Sequence, residues 1–208
     1  MKSISKSISK ASILKYIFEI LVVAFGIFLG IIVSENISKN KRKKELRTSI
    51  DLMLEELNFN RQNLKNSVAY HQILEKNYHK LFSNVTENEL NTPYLKSKYA
   101  PINKIENWKG PMIPSIETSM FQSIRTANIL QDLDISSIQN ISKTYSALEN
   151  FNQFKNKWWD RFMSLNSETK TRDFMLNFDI LFSDIVASET RMIQRIDHEV
   201  ELLKQIDF

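Results

Sequence analysis

Three groups of residues carry side chains able to do chemistry. His71, Glu75 and His79 stand four apart and share one face of a helix. That spacing opens a metal site, yet neither a Glu-x-x-His pair nor a His-Glu-x-x-His run accompanies it. Solvated or half-buried histidines are the expectation. Asp197-His198-Glu199 puts three ionisable groups in a row, but neighbours on a helix point in different directions, so they form no cluster. Trp158-Trp159, with Phe151, Phe154 and Phe162, make an aromatic group. Two consecutive tryptophans cannot both face a core, so one belongs at an edge. Core packing is the expectation for the group, and a ligand or partner surface formed from Trp108, Trp158 and Trp159 is the alternative.

No P-loop, no Gly-x-Gly-x-x-Gly and no Gly-x-Ser-x-Gly occurs. The chain has no cysteine, which excludes disulfides, thiolate metal sites and cysteine nucleophiles. The reading is of a protein that is not an enzyme, with no catalytic residues, no cofactor and no metal.

The elements that hold these residues begin with a membrane segment. Ile20 to Val33 contains fourteen residues without one polar side chain. Extended over 17–37 it gives twenty-one residues, about 30 Å of helix and enough to cross a bilayer. A cleaved signal peptide is the rival, but no small-x-small cleavage pattern follows, and a lysine-rich stretch does. Glu19, Val23, Gly26, Gly30 and Ser34 fall on one face, with Gly26 and Gly30 forming a Gly-x-x-x-Gly. Small residues at this spacing let two helices meet closely in lipid, so this face is the candidate contact of a homo-oligomer, a dimer or higher. Glu19 is read as an interfacial carboxylate near Lys15.

The net charge of +4 is concentrated in Lys39, Lys41, Arg42, Lys43, Lys44 and Arg47. Directly after an apolar stretch, such a run suits anionic lipid headgroups, and Lys39, Lys41, Arg42, Lys43 and Lys44 are its candidate contacts. The nearly balanced charge beyond it argues against nucleic acid as a partner. Lysines 2, 6, 10 and 15 precede the span and six basic residues follow it. The count after the span favours the domain inside, the lysine-bearing tail favours it outside, and the sequence assigns no side.

Beyond the span, glycine and proline are scarce, and all four prolines fall between Pro93 and Pro114. Long helices follow from that. Leu46, Ile50, Met53, Leu57, Asn60, Leu64, Ser67, His71, Leu74, Tyr78 and Leu81 keep alternating spacings of four and three, with polar residues at Asn60, Ser67 and His71. The stretch 83–114 breaks the pattern and predicts a long crossover loop, with a short helix inside 87–98. Ser115 is read as the N-cap of a short helix through Ala127, with Asn128 left-handed after it. Asp132 or Asp134 caps the next helix. Residues 167–171 are a turn, and a last helix starts near Arg172, with Ile185, Met192, Ile196, Val200 and Leu203 inward.

The architecture is all-α: a basic tail at 1–16, a transmembrane helix at 17–37 continuing into a bundle of three to four helices over 38–208, and one long crossover at 83–114.

Tyr16-Ile-Phe-Glu19-Ile-Leu-Val-Val-Ala-Phe-Gly26-Ile and Thr118-Ser-Met-Phe-Gln-Ser-Ile-Arg-Thr-Ala-Asn128 resemble a family of bacterial single-span membrane proteins built on a domain of unknown function. Phe18 stands where that family often has Gly, Ala24-Phe25 where it has a Val-Ile-like pair, and Ala127-Asn128 where it has Ser-Gly. The resemblance implies the architecture and the bacterial inner membrane; it implies no activity. The expected role is a membrane-anchored, self-associating scaffold with a possible protein partner. The alternative is a bundle-type ligand sensor or accessory subunit, with a cavity under the tryptophans.

Overall fold

A computed structural model describes residues 10–100 and 102–206. Residues 1–9 of the tail, and Pro101 of the crossover, lie outside the described residues. The fold is all-α, and among the described residues no β-strand occurs. Six α-helices follow in order: α1 Lys10–Phe82, α2 Glu87–Asn91, α3 Ser119–Thr126, α4 Ile135–Met163, α5 Thr171–Ile180 and α6 Val186–Lys204. A π-helical turn, Leu181–Ile185, joins α5 to α6. The chain divides into two units, 1–47 and 48–208.

The first unit holds the apolar part of α1. This is the one described helix long and apolar enough to cross a membrane, and none of its most apolar stretch is buried. Glu19, Val23, Gly26, Gly30 and Ser34 are all exposed. A Cβ added at Gly26 or Gly30 would meet nothing within 4 Å.

The second unit is a bundle of α1 from Thr48 onward, α4, and the α5–π–α6 rod. Ile50, Met53, Leu57, Leu64, Leu74 and Tyr78 of α1 are buried, as their spacing requires. Glu56 of α1 lies by Tyr145 near the start of α4, and Leu74 and Tyr78 share a core with Trp158 near its end. So α1 and α4 run in the same direction. Asp197, Glu189 and Phe178 meet Arg61, His71 and Tyr78 in turn, so the last rod runs the opposite way. Two parallel helices in sequence need a connection that returns the length of the bundle, which is why the crossover is long.

The return path has two parts. Near the end of α1, the capping box of Thr86 and Glu89 starts α2, and Tyr94 and Thr171 exchange backbone bonds with Thr169 and Thr92. From Lys109 to Thr118 the chain then runs as a strap without regular secondary structure. It passes back along α1 and over α4 in the place a fourth helix would take.

The N-cap expected at Ser115 is displaced. The helix starts at Ser119, behind Thr118, which makes no side-chain cap bond. The backbones of Ile116 and Glu117 are taken by Asn152 and Asn60, so they cannot enter a helix. Glu56 supplies the cap from α1, accepting from the Met120 N–H at 2.8 Å. Other punctuation stands where the sequence put it. Asn128 is left-handed, at φ 53°. Asp134 caps α4 by accepting from the Ser137 N–H at 3.0 Å, and the Ser137 hydroxyl and N–H hold its carboxyl below the usual range.

The core at the strap's far end is aromatic. Phe178 is fully buried, stacks on Tyr78 at 5.1 Å, and touches Phe174, Phe182 and Trp108. Phe178→Ala is expected to cost about 3–5 kcal/mol. Trp159, 42% exposed, is expected to cost under about 1 kcal/mol when changed to Ala. Denaturant unfolding followed by circular dichroism distinguishes the two.

Candidate functional site

The three polar residues of the α1 seam are buried, and each grips the strap. Asn60 donates to the Glu117 carbonyl at 2.7 Å and accepts from its N–H at 2.9 Å. This is a side-chain amide pairing with a backbone amide as one strand would with another. Asn152 of α4 does the same to Ile116, at 2.9 and 3.1 Å. Tyr70 donates to the Gly110 carbonyl and accepts from the Lys109 N–H. Burial raises the Tyr70 phenol above its usual range. Asn77 holds the Glu106 carbonyl at 2.8 Å.

At the centre lies a buried trio, Ser67, His71 and Glu189. His71 Nδ1 is 3.0 Å from one Glu189 oxygen, and Nε2 is 2.5 Å from the Pro111 carbonyl. The Ser67 hydroxyl is 2.6 Å from the other Glu189 oxygen and 3.0 Å from the Met112 carbonyl. These are the residue types of a hydrolytic triad, and the geometry is not one. Serine and glutamate both face Nδ1, the second nitrogen is spent on a backbone carbonyl, and all three side chains are buried. A carbonyl only accepts, so Nε2 carries a proton and a second one is held between Nδ1 and the carboxylate. The trio binds the strap. Its grip holds Met112 left-handed at φ 49°, beside Gly110 at φ 95°. For a side chain such as methionine that conformation costs about 1–2 kcal/mol.

The metal reading of His71, Glu75 and His79 separates into two parts. His71 points inward to Glu189, while Glu75 and His79 form a surface pair at 3.8 Å. Among the described residues, no group of three or more His, Cys, Asp or Glu is placed to hold a metal.

The tryptophans divide as their adjacency demanded. Trp158 is buried and donates to the Asn177 carbonyl at 2.9 Å. Trp159 is exposed and lines a small open groove of about 270 Å³ with Pro111, Met112 and Lys155. Trp108 is half-buried and packs on Phe162 and Phe178. All three rings lie near Phe162, at 6.4, 5.2 and 6.0 Å between centroids. Lys39, Lys41, Arg42, Lys43 and Lys44 are exposed, with Lys41 3.8 Å from Glu45.

A second buried polar group escaped the sequence reading. Glu56, Tyr145 and Glu199 come together between α1, α4 and α6, each with one oxygen lacking a protein partner. Burial, then the nearby Glu56 and Glu199 carboxylates, raise the Tyr145 phenol. Burial also raises Glu199, partly offset by the Thr144 hydroxyl at 2.9 Å and by His198 and Arg195. Glu189 had a legible signal: the inward face of the last helix skips from Ile185 to Met192, and position 189 must fill the gap. Glu56 and Glu199 gave none, because they flank the apolar stripe.

No protein-family model, no curated protein and no solved structure matches the chain.

Two outcomes are expected. His71→Ala leaves the buried Glu189 with the Ser67 hydroxyl alone and costs about 3–5 kcal/mol. In a double-mutant cycle with Glu189→Gln the losses are strongly non-additive, as measured by denaturant unfolding. Glu199, whose folded-state value is raised, contributes most at pH below the usual glutamate range, and that contribution is lost as pH rises through the raised value. Glu199→Gln is therefore expected to raise the unfolding midpoint at neutral pH, with the gain vanishing toward acid pH.

Proposed function

We propose that this chain is a membrane-anchored helical interaction protein of the bacterial inner membrane, which self-associates through its membrane helix and presents its bundle to a protein partner. The observation that carries the reading is the apolar stretch Ile20–Val33, every residue of which is exposed. Each fully exposed large apolar side chain forgoes roughly 1.5–3 kcal/mol of burial. Eleven of these fourteen residues are large and apolar, which supports a non-aqueous surrounding that lipid supplies over the length of one span.

The open space at Gly26 and Gly30 supports the self-association. A neighbouring helix meets backbone there rather than side chain, and close approach in lipid is driven by packing and not by water. Glu19, Val23 and Ser34 complete the face. The exposed Lys39, Lys41, Arg42, Lys43 and Lys44 support contact with anionic headgroups. In the second unit, the buried Asn60, Ser67 and His71 are spent on binding the strap.

Gly26→Leu with Gly30→Leu is expected to reduce crosslinked dimer in native membranes several-fold without changing the amount of membrane-bound protein. Undiminished crosslinking would remove this face from the contact. Reporter fusions to Phe208, one active only in the cytoplasm and one only outside it, assign the side on which the bundle lies.

A further inference from the structure

One concave surface of the bundle is used neither by the strap nor by the aromatic core. It lies between α4 and α6 and encloses about 650 Å³, within the range of small-molecule sites. Lys143 on one wall and Arg191 and Arg195 on the other give it an excess of positive charge, with His198 and the buried Glu199 also lining it. Positions 191, 195 and 198 fall on one helix face.

One carboxylate, that of the buried Glu199, lines the same groove and lies within reach of the Arg195 and His198 charges. Among the described residues, no carboxylate forms an ion pair with Lys143, Arg191 or Arg195, whereas Arg61 and Arg172 each hold one, at 3.0 and 2.6 Å. The acids closest in sequence are engaged elsewhere. Asp197 is the partner of Arg61, and Glu199 is buried against Thr144. Burial raises the Glu199 carboxyl, partly offset by Thr144, His198 and Arg195. The two guanidinium groups are also held in place. Arg195 donates to the Lys143 carbonyl at 3.1 Å, and Arg191 to the Ser188 hydroxyl at 2.7 Å. Each fork keeps further N–H groups for a ligand. Planar forks on rigid helices match the oxygens of a tetrahedral oxyanion better than flexible ammonium groups do. A concave site with an excess of one sign of charge concentrates counter-ions of the other.

We propose that the α4/α6 groove binds a phosphate-bearing ligand, its oxygens on Arg191, Arg195 and Lys143, with Asn140 as a neutral donor. This does not depend on self-association of the membrane helix. The phosphate group could belong to a soluble phosphomonoester or to a lipid headgroup; the recognising chemistry is the same.

The test uses the full chain in micelles of a phosphate-free neutral detergent. The unfolding midpoint is followed by circular dichroism against three probes: inorganic phosphate, glycerol phosphate and phosphatidic acid. Sodium chloride at matched ionic strength is the reference. A saturable rise of about 3–6 °C at ten times the apparent Kd is expected for at least one probe. It is expected to be lost in Arg191→Gln/Arg195→Gln and kept in Lys80→Gln/Lys204→Gln, which changes charge elsewhere. Arg195→Lys, which keeps the charge, is expected to retain part of it. A response to either soluble probe assigns a free ligand, and a response to phosphatidic acid alone assigns a headgroup. No response beyond chloride, or an equal one in the arginine double variant, overturns the proposal.

Discussion

Asn60 meets the Glu117 peptide through both its donor and its acceptor, and the second unit depends on exchanges of this kind. The strap carries a backbone N–H or carbonyl at every residue and has no strand or helix to satisfy it. Burying such groups without partners costs about 1–3 kcal/mol each. Asn60, Ser67, Tyr70, His71 and Asn152 supply the missing partners from two parallel helices. The strap can therefore lie where a fourth helix would pack, and it closes the bundle without one.

That arrangement explains features that look separate. The long crossover exists because α1 and α4 are parallel. Its path is fixed because side chains at seam positions recognise particular peptides along it. The short helix α3 begins late because the residues ahead of it are already committed to asparagines, and Glu56 caps it from α1 because its own Thr118 does not. Aromatic packing does the corresponding work at the other end, where Tyr78, Phe82, Tyr94, Tyr99, Phe174 and Phe178 fill the space beneath the proline-bearing turns.

The same bundle keeps its ionisable groups in two different settings. His71 and Glu189 meet inside at 3.0 Å, both fully buried. Arg191, Arg195 and Lys143 line the α4/α6 groove beside the buried Glu199 and, among the described residues, without a direct ion pair. The first arrangement holds the fold together. The second leaves positive charge facing solvent on rigid walls.

Periodicity and punctuation made much of the fold legible in the sequence. The apolar run at 20–33, the alternating seam of α1, the left-handed Asn128 and the cap at Asp134 are local properties. Each depends on side-chain spacing or on backbone preference within a few residues, and each is found where the sequence put it. The adjacency of Trp158 and Trp159 likewise required one buried ring and one exposed ring. The partners of the polar seam were not legible, because Asn60 and Glu117 are 57 positions apart and nothing local joins them. The start of α3 was misplaced for the same reason: Ser115 has the chemistry of a cap, but the peptides after it are held extended by residues from two other helices. The sequence by itself determined the all-α class, the long apolar helix and which face of each long helix turns inward, since these follow from spacing along one chain. Only the tertiary structure decided that the seam polars grip the strap, that Glu189 completes a buried trio, and that three cations meet in one groove. Those outcomes require elements remote in sequence to come within hydrogen-bond or ion-pair distance.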